Sequence, residues 1–208
     1  MNKYLRWSVQ NWVEQIAESF SLEYVAPTFA GCTESALSLA ASLSNEKRGL
    51  VAVALWKAKI PRDAYREFLQ SVWMQDHRHL IEAAGNRRTI AHMFDYAAFP
   101  IPVWMPPTVT VWRGVHGISI KQAKQGFSWT TNRNLACWFA CRPTTPERLP
   151  LVIRAQVAKE NIALFTNERE ESEALLTKLP SAVTIDGTSH EWKSVFEKYQ
   201  RDRVPSVV

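Results

Sequence analysis

Hydrophobic positions in the first half of the chain recur at helical spacing. In the N-terminal segment, apolar side chains return every three or four positions, with polar side chains between them; the apolar residues are Leu5, Val9, Trp12, Val13, Ile16 and Phe20. Similar patterns predict further helices over 33–44, 46–58, 62–83 and 87–98. Pro27, Gly49, Pro61 and Gly85 punctuate this half, and Pro27, Pro61 and Gly85 lie outside the predicted helices.

The hydrophobic period changes after a proline-rich passage, "FPIPVWMPP" (99–107). Proline lacks a backbone N–H and disfavours a helix before it, so this passage marks an internal boundary. Beyond it, short runs of β-branched and aromatic residues predict strands at 108–112, 126–131, 151–157, 160–165 and 173–176. Helices are predicted over 132–141, capped near Thr131 or Asn132, and over 191–203. The predicted fold class is α+β, with a helical region at 1–107 and one compact mixed β-sheet core at 108–208.

The composition is that of an ordinary globular protein. The 208 residues are 46% hydrophobic and 22% charged, and nine tryptophans predict a large aromatic core, with aromatic interaction surfaces as the alternative. The three cysteines, Cys32, Cys137 and Cys141, form neither a disulfide framework nor a paired CxxC metal motif, which is typical of a reducing compartment. His77 and His79 fall on different faces of a predicted helix, so no metal site is predicted.

The charge and the N-terminus restrict location and partners. The first twenty residues lack the continuous apolar run of a secretion signal, and no apolar stretch is long enough to span a bilayer. A cytoplasmic protein without a membrane partner is therefore expected. The net charge of +5 would tolerate nucleic acid, but no dense run of Lys and Arg indicates such a partner.

An arginine and a glycine follow the first predicted strand. In "TVTVWRG", alternation places Val109, Val111 and Arg113 on one face. An arginine that continues an apolar face needs an anion, and its planar guanidinium suits carboxylate or phosphate. Gly114 allows another backbone or a ligand to approach closely. The alternative is that Arg113 leaves the sheet and pairs with a structural carboxylate.

Hydroxyl and carboxyl side chains follow at two later strands. In "GFSWTTN", Ser128 and Thr130 share a face where a strand leads into a helix, and they could bind a ligand or act as ordinary caps. In "REESEALL", Glu171 and Glu173 share a face if the strand begins there. Paired carboxylates suit acid/base chemistry, although a solvated charged turn is the alternative.

The order of these features resembles the arginine–serine–glutamate class of mono-ADP-ribosyltransferases, which includes cholera-type toxins and phage and bacterial effectors. The resemblance rests on "VWRG" (111–114), on "FSWTT" (127–131) with "ACWFA" (136–140) behind it, and on "ESEALL" (171–176). It implies a sheet of the ADP-ribosyltransferase type, NAD as co-substrate, and a protein acceptor, favoured to be arginine. It also implies a bacterial or phage-encoded protein that acts in a bacterial cytoplasm.

The resemblance assigns a role to each matching residue. Arg113, with Gly114 beside it, would hold the phosphate side of NAD and brace the site. Ser128, Trp129 and Thr130 would shape the nicotinamide pocket and position the catalytic acid.

The acids and their loop complete the implied site. Glu173 would be the catalytic glutamate, which hydrogen-bonds the nicotinamide ribose, and Glu171 the acid associated with arginine acceptors. The segment 166–170 would meet the protein substrate. Two registers remain open, because "WTT" could replace "SWT" and Glu168 with Glu170 could replace the later acids.

Two other functions stay open at this point. An NAD glycohydrolase would use water as the acceptor, although the second acid argues mildly against it because water needs no acid to orient an arginine. A non-enzymatic basic binding protein would carry Glu171 and Glu173 as surface charges. His116 follows Arg113 closely and would either line the pocket or lie in a surface loop.

Overall fold

The computed structural model describes residues 3–142 and 149–203, which belong to two compact units, 1–99 and 100–208. The division falls at the start of the proline-rich passage, whereas the sequence placed the boundary at its end, after residue 107. Within the described residues, no helix is long and apolar enough to cross a membrane.

The first unit contains helices and no strand among its described residues. Its helices are α1 (Lys3–Ile16), α2 (Leu22–Ala30), α3 (Thr33–Ser42), α4 (Asn45–Lys57), α5 (Arg62–Ala84) and α6 (Arg87–Ala97). Helices α3 to α6 confirm the four helices predicted after the N-terminal segment. Helix α2 was not predicted, because Pro27 was expected to stop a helix and instead lies inside this one. The proline removes one hydrogen-bond donor, and buried Val25 and Phe29 offset that loss.

Aromatic side chains are divided between the core and the surface of this unit. Trp73 is fully buried and meets the ring of Phe94 edge-on, at a centroid distance of 5.3 Å. Trp7 on α1 is 65% exposed, so both expectations from the composition, a buried aromatic core and exposed aromatic surface, have an example in this unit. Of the predicted N-terminal stripe only Val13 is fully buried, and the helix ends at Ile16, before Phe20.

The second unit carries the strands. Its elements are β1 (Thr108–His116), α7 (Ile120–Lys124), β2 (Ser128–Thr130), α8 (Arg133–Cys141), β3 (Pro150–Ala158), β4 (Ile162–Thr166), β5 (Glu173–Leu176), β6 (Thr184–Ile185) and α9 (Ser189–Arg203). Every predicted strand and helix of this half is present. Helix α7, which begins with a capping box of Ser119 and Gln122, and the short strand β6 were not predicted. Strand β1 continues through Arg113, which therefore lies within the strand and not after it.

The six strands form one sheet in the order β4-β5-β2-β1-β3-β6. Each pairing among the described strands is antiparallel, so the expected mixed sheet is wrong. A parallel neighbour requires a crossover that returns the chain to the same end of the sheet, and the five-residue α7 is too short to do this between β1 and β2. The fold is α+β with an antiparallel sheet.

Both faces of the sheet are covered. On one face, Val109, Val111 and Trp129 join a hydrophobic cluster with Ala123 of α7. On the other face lies α8, whose Ala136, Cys137 and Ala140 form a second cluster; Val152 of β3 and Trp192 of α9 complete it. Side chains of β1 and β2 therefore enter different environments according to the face on which they lie.

Candidate active site

Strand β2 lies between β1 and β5, which places the three sequence motifs on neighbouring strands. Thr130 pairs with Trp112 of β1 on one side and with Glu173 of β5 on the other. Residues paired across antiparallel strands share a face, so Trp112, Thr130 and Glu173 form a row, and Ser128 lies two positions along on the same face. The indole Nε1 of Trp112 is buried without a hydrogen-bond partner among the described residues.

Arg113 lies on the opposite face of the sheet from that row, because it is one residue from Trp112. Alternation had placed it with Val109 and Val111, and the structure agrees. The guanidinium crosses to β2 and its Nη1 donates a hydrogen bond to the carbonyl oxygen of Ser128. Arg113 is thus brought to the same central strand as the hydroxyls, but not to the face that carries Glu173.

Gly126 makes room for the Arg113 side chain. A Cβ atom at this position would lie 2.1 Å from Cζ of Arg113, closer than any real contact. The carbonyl of Gly126 also accepts a hydrogen bond of 3.2 Å from Nε1 of Trp129. No role was predicted for this residue, although a glycine at the start of a predicted strand, here 126–131, is a recognisable signal of close approach.

Gly114 allows a close approach by a helix. A Cβ atom there would lie 1.7 Å from the carbonyl oxygen of Ala136, so α8 rests directly on β1. Helix α8 begins where the sequence predicted, because Asn132 caps it by accepting from the backbone N–H of Asn134 and Leu135 at 3.0 and 3.3 Å. The partner that approaches Gly114 in the structure is therefore a backbone.

Thr130 connects β2 to the residues that precede β5. Its hydroxyl donates a hydrogen bond of 2.7 Å to the carbonyl of Glu171 and accepts one of 3.0 Å from the N–H of Asn132. The next residue strengthens the connection, since the N–H of Thr131 donates to the carbonyl of Ser172 at 3.0 Å. Thr130 is 5% exposed, so these hydrogen bonds are shielded from water.

The 167–172 loop has a backbone that few sequences adopt. Glu170 and Ser172 have φ values of +57° and +46°, in the left-handed region that non-glycine residues seldom enter. Asn167 holds this shape, because its Oδ1 accepts from the N–H and the hydroxyl of Ser172 at 2.9 and 3.1 Å. Its carbonyl accepts from the N–H of Glu170 at 2.9 Å. Unusual backbone of this kind is concentrated at functional sites.

The acidic pair, Glu171 and Glu173, meets at one guanidinium. Nη2 of Arg169 lies 2.9 Å from Oε2 of Glu171 and 3.8 Å from Oε2 of Glu173. The cation reduces the repulsion between the two carboxylates, one of which belongs to a residue only 4% exposed. From the sequence, Arg169 was expected only within the segment 166–170 that would meet the protein substrate, although its spacing of two and four residues from the acids could have indicated this contact.

From the sequence, Glu171 and Glu173 would share a face if the strand began at Glu171. In the structure the two residues do not share a strand face. Strand β5 begins at Glu173, and the left-handed Ser172 interrupts the alternation before it. Glu171 instead reaches Glu173 through Arg169. The two acids of the alternative register, Glu168 and Glu170, are both exposed in the loop.

The histidines take separate places. His116 ends β1, and its Nδ1 is buried without a hydrogen-bond partner among the described residues. His77 stacks on Trp73, and Nδ1 of His79 lies 3.4 Å from Glu82. In the part of the chain that the structure describes, no group of three His, Cys, Asp or Glu side chains could hold a metal ion.

Comparison of the chain with protein-family models, with curated proteins and with solved structures finds no match. The chemistry of the site must therefore be argued from its own residues. A buried carboxylate, a second carboxylate beside it and a guanidinium that contacts both lie next to a strand that carries two hydroxyls. Such a site can stabilise positive charge and can bind a cationic planar group.

Proposed function

We propose that this chain is an NAD-dependent mono-ADP-ribosyltransferase that transfers ADP-ribose to an arginine of a protein, on a sheet of the ADP-ribosyltransferase type. The observation that carries the proposal is the contact of Glu171 and Glu173 with one guanidinium, that of Arg169. A pair of carboxylates that holds an internal guanidinium can hold the guanidinium of an acceptor in the same way.

The first chemical requirement is to break the bond between the nicotinamide N1 and the ribose C1′ of NAD. Positive charge develops on the ribose as this bond lengthens, and nicotinamide leaves as a neutral molecule with the bonding electron pair. A fixed carboxylate beside the ribose stabilises this charge more than it stabilises the ground state. Glu173 is the candidate, because its burial and its place at the start of β5 fix its position.

The second requirement is an acceptor nitrogen aimed at C1′. A guanidinium nitrogen must lose one proton when it forms the new bond, and a neighbouring carboxylate can receive that proton. Glu171 suits this role, because its side chain is 27% exposed and already binds a guanidinium. An external arginine could reach this acid from solvent.

The motif residues of β1 and β2 fall into two groups: those that can contact NAD and those that hold the site in place. Ser128 lies on the face of Glu173, where it can border the nicotinamide ribose. Thr130 lies on the same face but is buried, and its hydroxyl supports the site by bonding the Glu171 carbonyl and the Asn132 N–H.

Trp129 is 2% exposed on the opposite face and belongs to the hydrophobic core there. Arg113 supports β2, because its guanidinium donates a hydrogen bond to the Ser128 carbonyl. The resemblance implies two roles for Arg113, holding the phosphate side of NAD and bracing the site, and this contact corresponds to the second. We assign Trp129 and Arg113 to the support of the site.

The decisive experiment compares the wild-type chain with Glu173→Gln, using labelled NAD and a bacterial lysate. The substitution keeps the size of the side chain and removes its charge. Glu197→Gln on the exposed surface of α9 makes the same change far along the chain and is the matched control. We expect labelled protein from the wild type and from the control, and a loss of about 10²-fold or more with Glu173→Gln. Equal labelling by Glu173→Gln would contradict the assignment.

A third variant separates transfer from hydrolysis. Glu171→Gln should still release nicotinamide from NAD, because Glu173 remains, while labelling of protein falls. Nicotinamide release by the wild type without any labelled protein would identify a glycohydrolase instead. Absence of both release and labelling would contradict the enzyme and favour a binding protein.

A further inference from the structure

Arg169 lies where the proposed reaction requires an acceptor. Its Nη2 is 2.9 Å from the acid assigned to the acceptor, Glu171, and 3.8 Å from the acid assigned to the ribose, Glu173. If Glu173 holds the nicotinamide ribose of NAD, the C1′ atom of that ribose would lie close to this nitrogen. An acceptor bound in this way is already oriented before NAD arrives, which is the arrangement that favours intramolecular transfer.

The loop presents Arg169 in a defined and accessible position. Asn167 and the left-handed residues Glu170 and Ser172 fix the backbone on either side of it. The Arg169 side chain is 46% exposed, whereas that of Glu173 is 6% exposed. The guanidinium therefore contacts the buried acid while remaining open to a ligand that enters from solvent.

We infer that the chain ADP-ribosylates its own Arg169, which makes this residue a modification site; the inference rests on the proposed function. In the step, the N1–C1′ bond of NAD breaks and nicotinamide leaves with the electron pair. Nη2 of Arg169 forms the new bond to C1′ and passes one proton to the carboxylate of Glu171, which releases it to solvent. Nothing is oxidised or reduced.

The modification should limit the activity of the enzyme. An ADP-ribosyl group on Arg169 would occupy the space beside Glu171 and Glu173 and would add two phosphates there. An external guanidine would then lose access to the acidic pair. Transfer to outside acceptors should decline as the chain is exposed to NAD, and the decline should follow the extent of modification.

The test uses the purified 208-residue chain with NAD and no other protein, followed by peptide mass spectrometry. Transfer to the small guanidine agmatine is measured in parallel. Arg169→Lys keeps a positive charge beside the acids but lacks a guanidine, and Arg201→Lys on the exposed part of α9 is the matched control. We expect one ADP-ribosyl group at Arg169 in the wild type and the control. Arg169→Lys should carry no ADP-ribosyl group at position 169, and its transfer to agmatine, whatever the initial rate, should not decline after preincubation with NAD.

The outcomes separate this inference from the function on which it rests. Modified agmatine together with an unmodified Arg169 would overturn self-modification and leave the transferase standing. Absence of agmatine transfer and of nicotinamide release would overturn both. Mixing the wild type with a mass-tagged Glu173→Gln chain tests the geometry, because label should appear only on the active chain. Label on Arg169 of the Glu173→Gln chain would show transfer between molecules and would contradict the intramolecular step.

Discussion

Glu173 lies directly opposite Thr130 in the antiparallel pairing of β5 with β2, and the Thr130 hydroxyl holds the carbonyl of Glu171 at 2.7 Å. One threonine thus contacts the backbone on which both acids are carried. The strand that bears the hydroxyls and the loop that bears the acids are consequently fixed to each other. The function proposed for the acids depends on this connection, because a carboxylate stabilises developing charge only when its position is fixed.

Thr130→Val should weaken both stability and transfer. Valine keeps the shape of the side chain but removes the hydroxyl, so the Glu171 carbonyl and the Asn132 N–H lose a partner in a buried place. The expected cost is about 1–3 kcal/mol of unfolding free energy. Transfer should fall by as much as about 10²-fold, because the loop before β5 is no longer anchored. Urea unfolding and labelling with NAD measure the two effects.

Thr131→Val is the matched control for this prediction. Its hydroxyl lies 3.4 Å from the Ser172 carbonyl, at the weak limit of a hydrogen bond, and its backbone N–H would still donate to that carbonyl. We expect a loss below about 1 kcal/mol. Equal effects of the two substitutions would contradict the special role of Thr130.

Gly126→Ala tests the support that Arg113 gives to β2. The new methyl group would lie 2.1 Å from Cζ of Arg113, so the guanidinium must leave the Ser128 carbonyl. Because the displaced atoms end a flexible side chain, the cost in unfolding free energy should be only about 1 kcal/mol. The rate of ADP-ribosyl transfer should fall by a larger factor than this loss of unfolding free energy would cause. The Michaelis constant for NAD should rise.

A double-mutant cycle supplies the control for Gly126→Ala. In an Arg113→Ala background there is no guanidinium to displace, so Gly126→Ala should have little further effect on transfer. Additive losses would mean that Gly126 acts on the site by another route than through Arg113. The same cycle followed by urea unfolding reports whether the two residues are coupled in stability.

The local elements of this site could be predicted from the sequence, whereas their pairing could not. Apolar residues directly after Glu173 indicated that a strand begins there, and alternation placed Arg113 with Val109 and Val111. The positions of Arg113 and Glu173 on opposite faces depend on the register of β1, β2 and β5, which joins residues far apart in the chain. Hydrophobic pattern carries no information about such long-range pairing.

The position of Arg169 could not be predicted from the hydrophobic pattern, for a related reason. It depends on left-handed backbone at Glu170 and Ser172, residues whose side chains do not favour that conformation. The hydrogen bonds that Asn167 Oδ1 accepts from Ser172 help to hold the loop in this shape. From the sequence alone, the run of charged residues could therefore be assigned to a solvated turn. The contact of Arg169 with both Glu171 and Glu173 is visible only in the structure.

Gly114→Ala should disrupt the second unit near the site. The added methyl group would lie 1.7 Å from the backbone carbonyl of Ala136, and a helix backbone cannot rotate away as a side chain can. We expect a loss of about 3 kcal/mol or more and faster hydrogen exchange in β1 and α8. Gly85→Ala is the control, because its methyl group would meet nothing within 4 Å and the cost of about 1–2 kcal/mol comes only from its left-handed backbone. A smaller effect of Gly114→Ala than of this control would contradict the close packing of α8 on β1.

The last prediction concerns alkaline pH and the buried thiol of Cys137 on α8. Burial raises the pKa of Cys137 from 9.0 to about 11, although the nearby Arg133 opposes the rise. Between these values the unfolded chain has lost the thiol proton and the folded chain has kept it, so the unfolding free energy falls as pH rises through this window. Urea unfolding at several pH values should show a shallower fall for Cys137→Ala. Some fall should remain, because burial also raises the pKa of Cys141. Identical slopes for the wild type and Cys137→Ala would contradict a protonated thiol at this position.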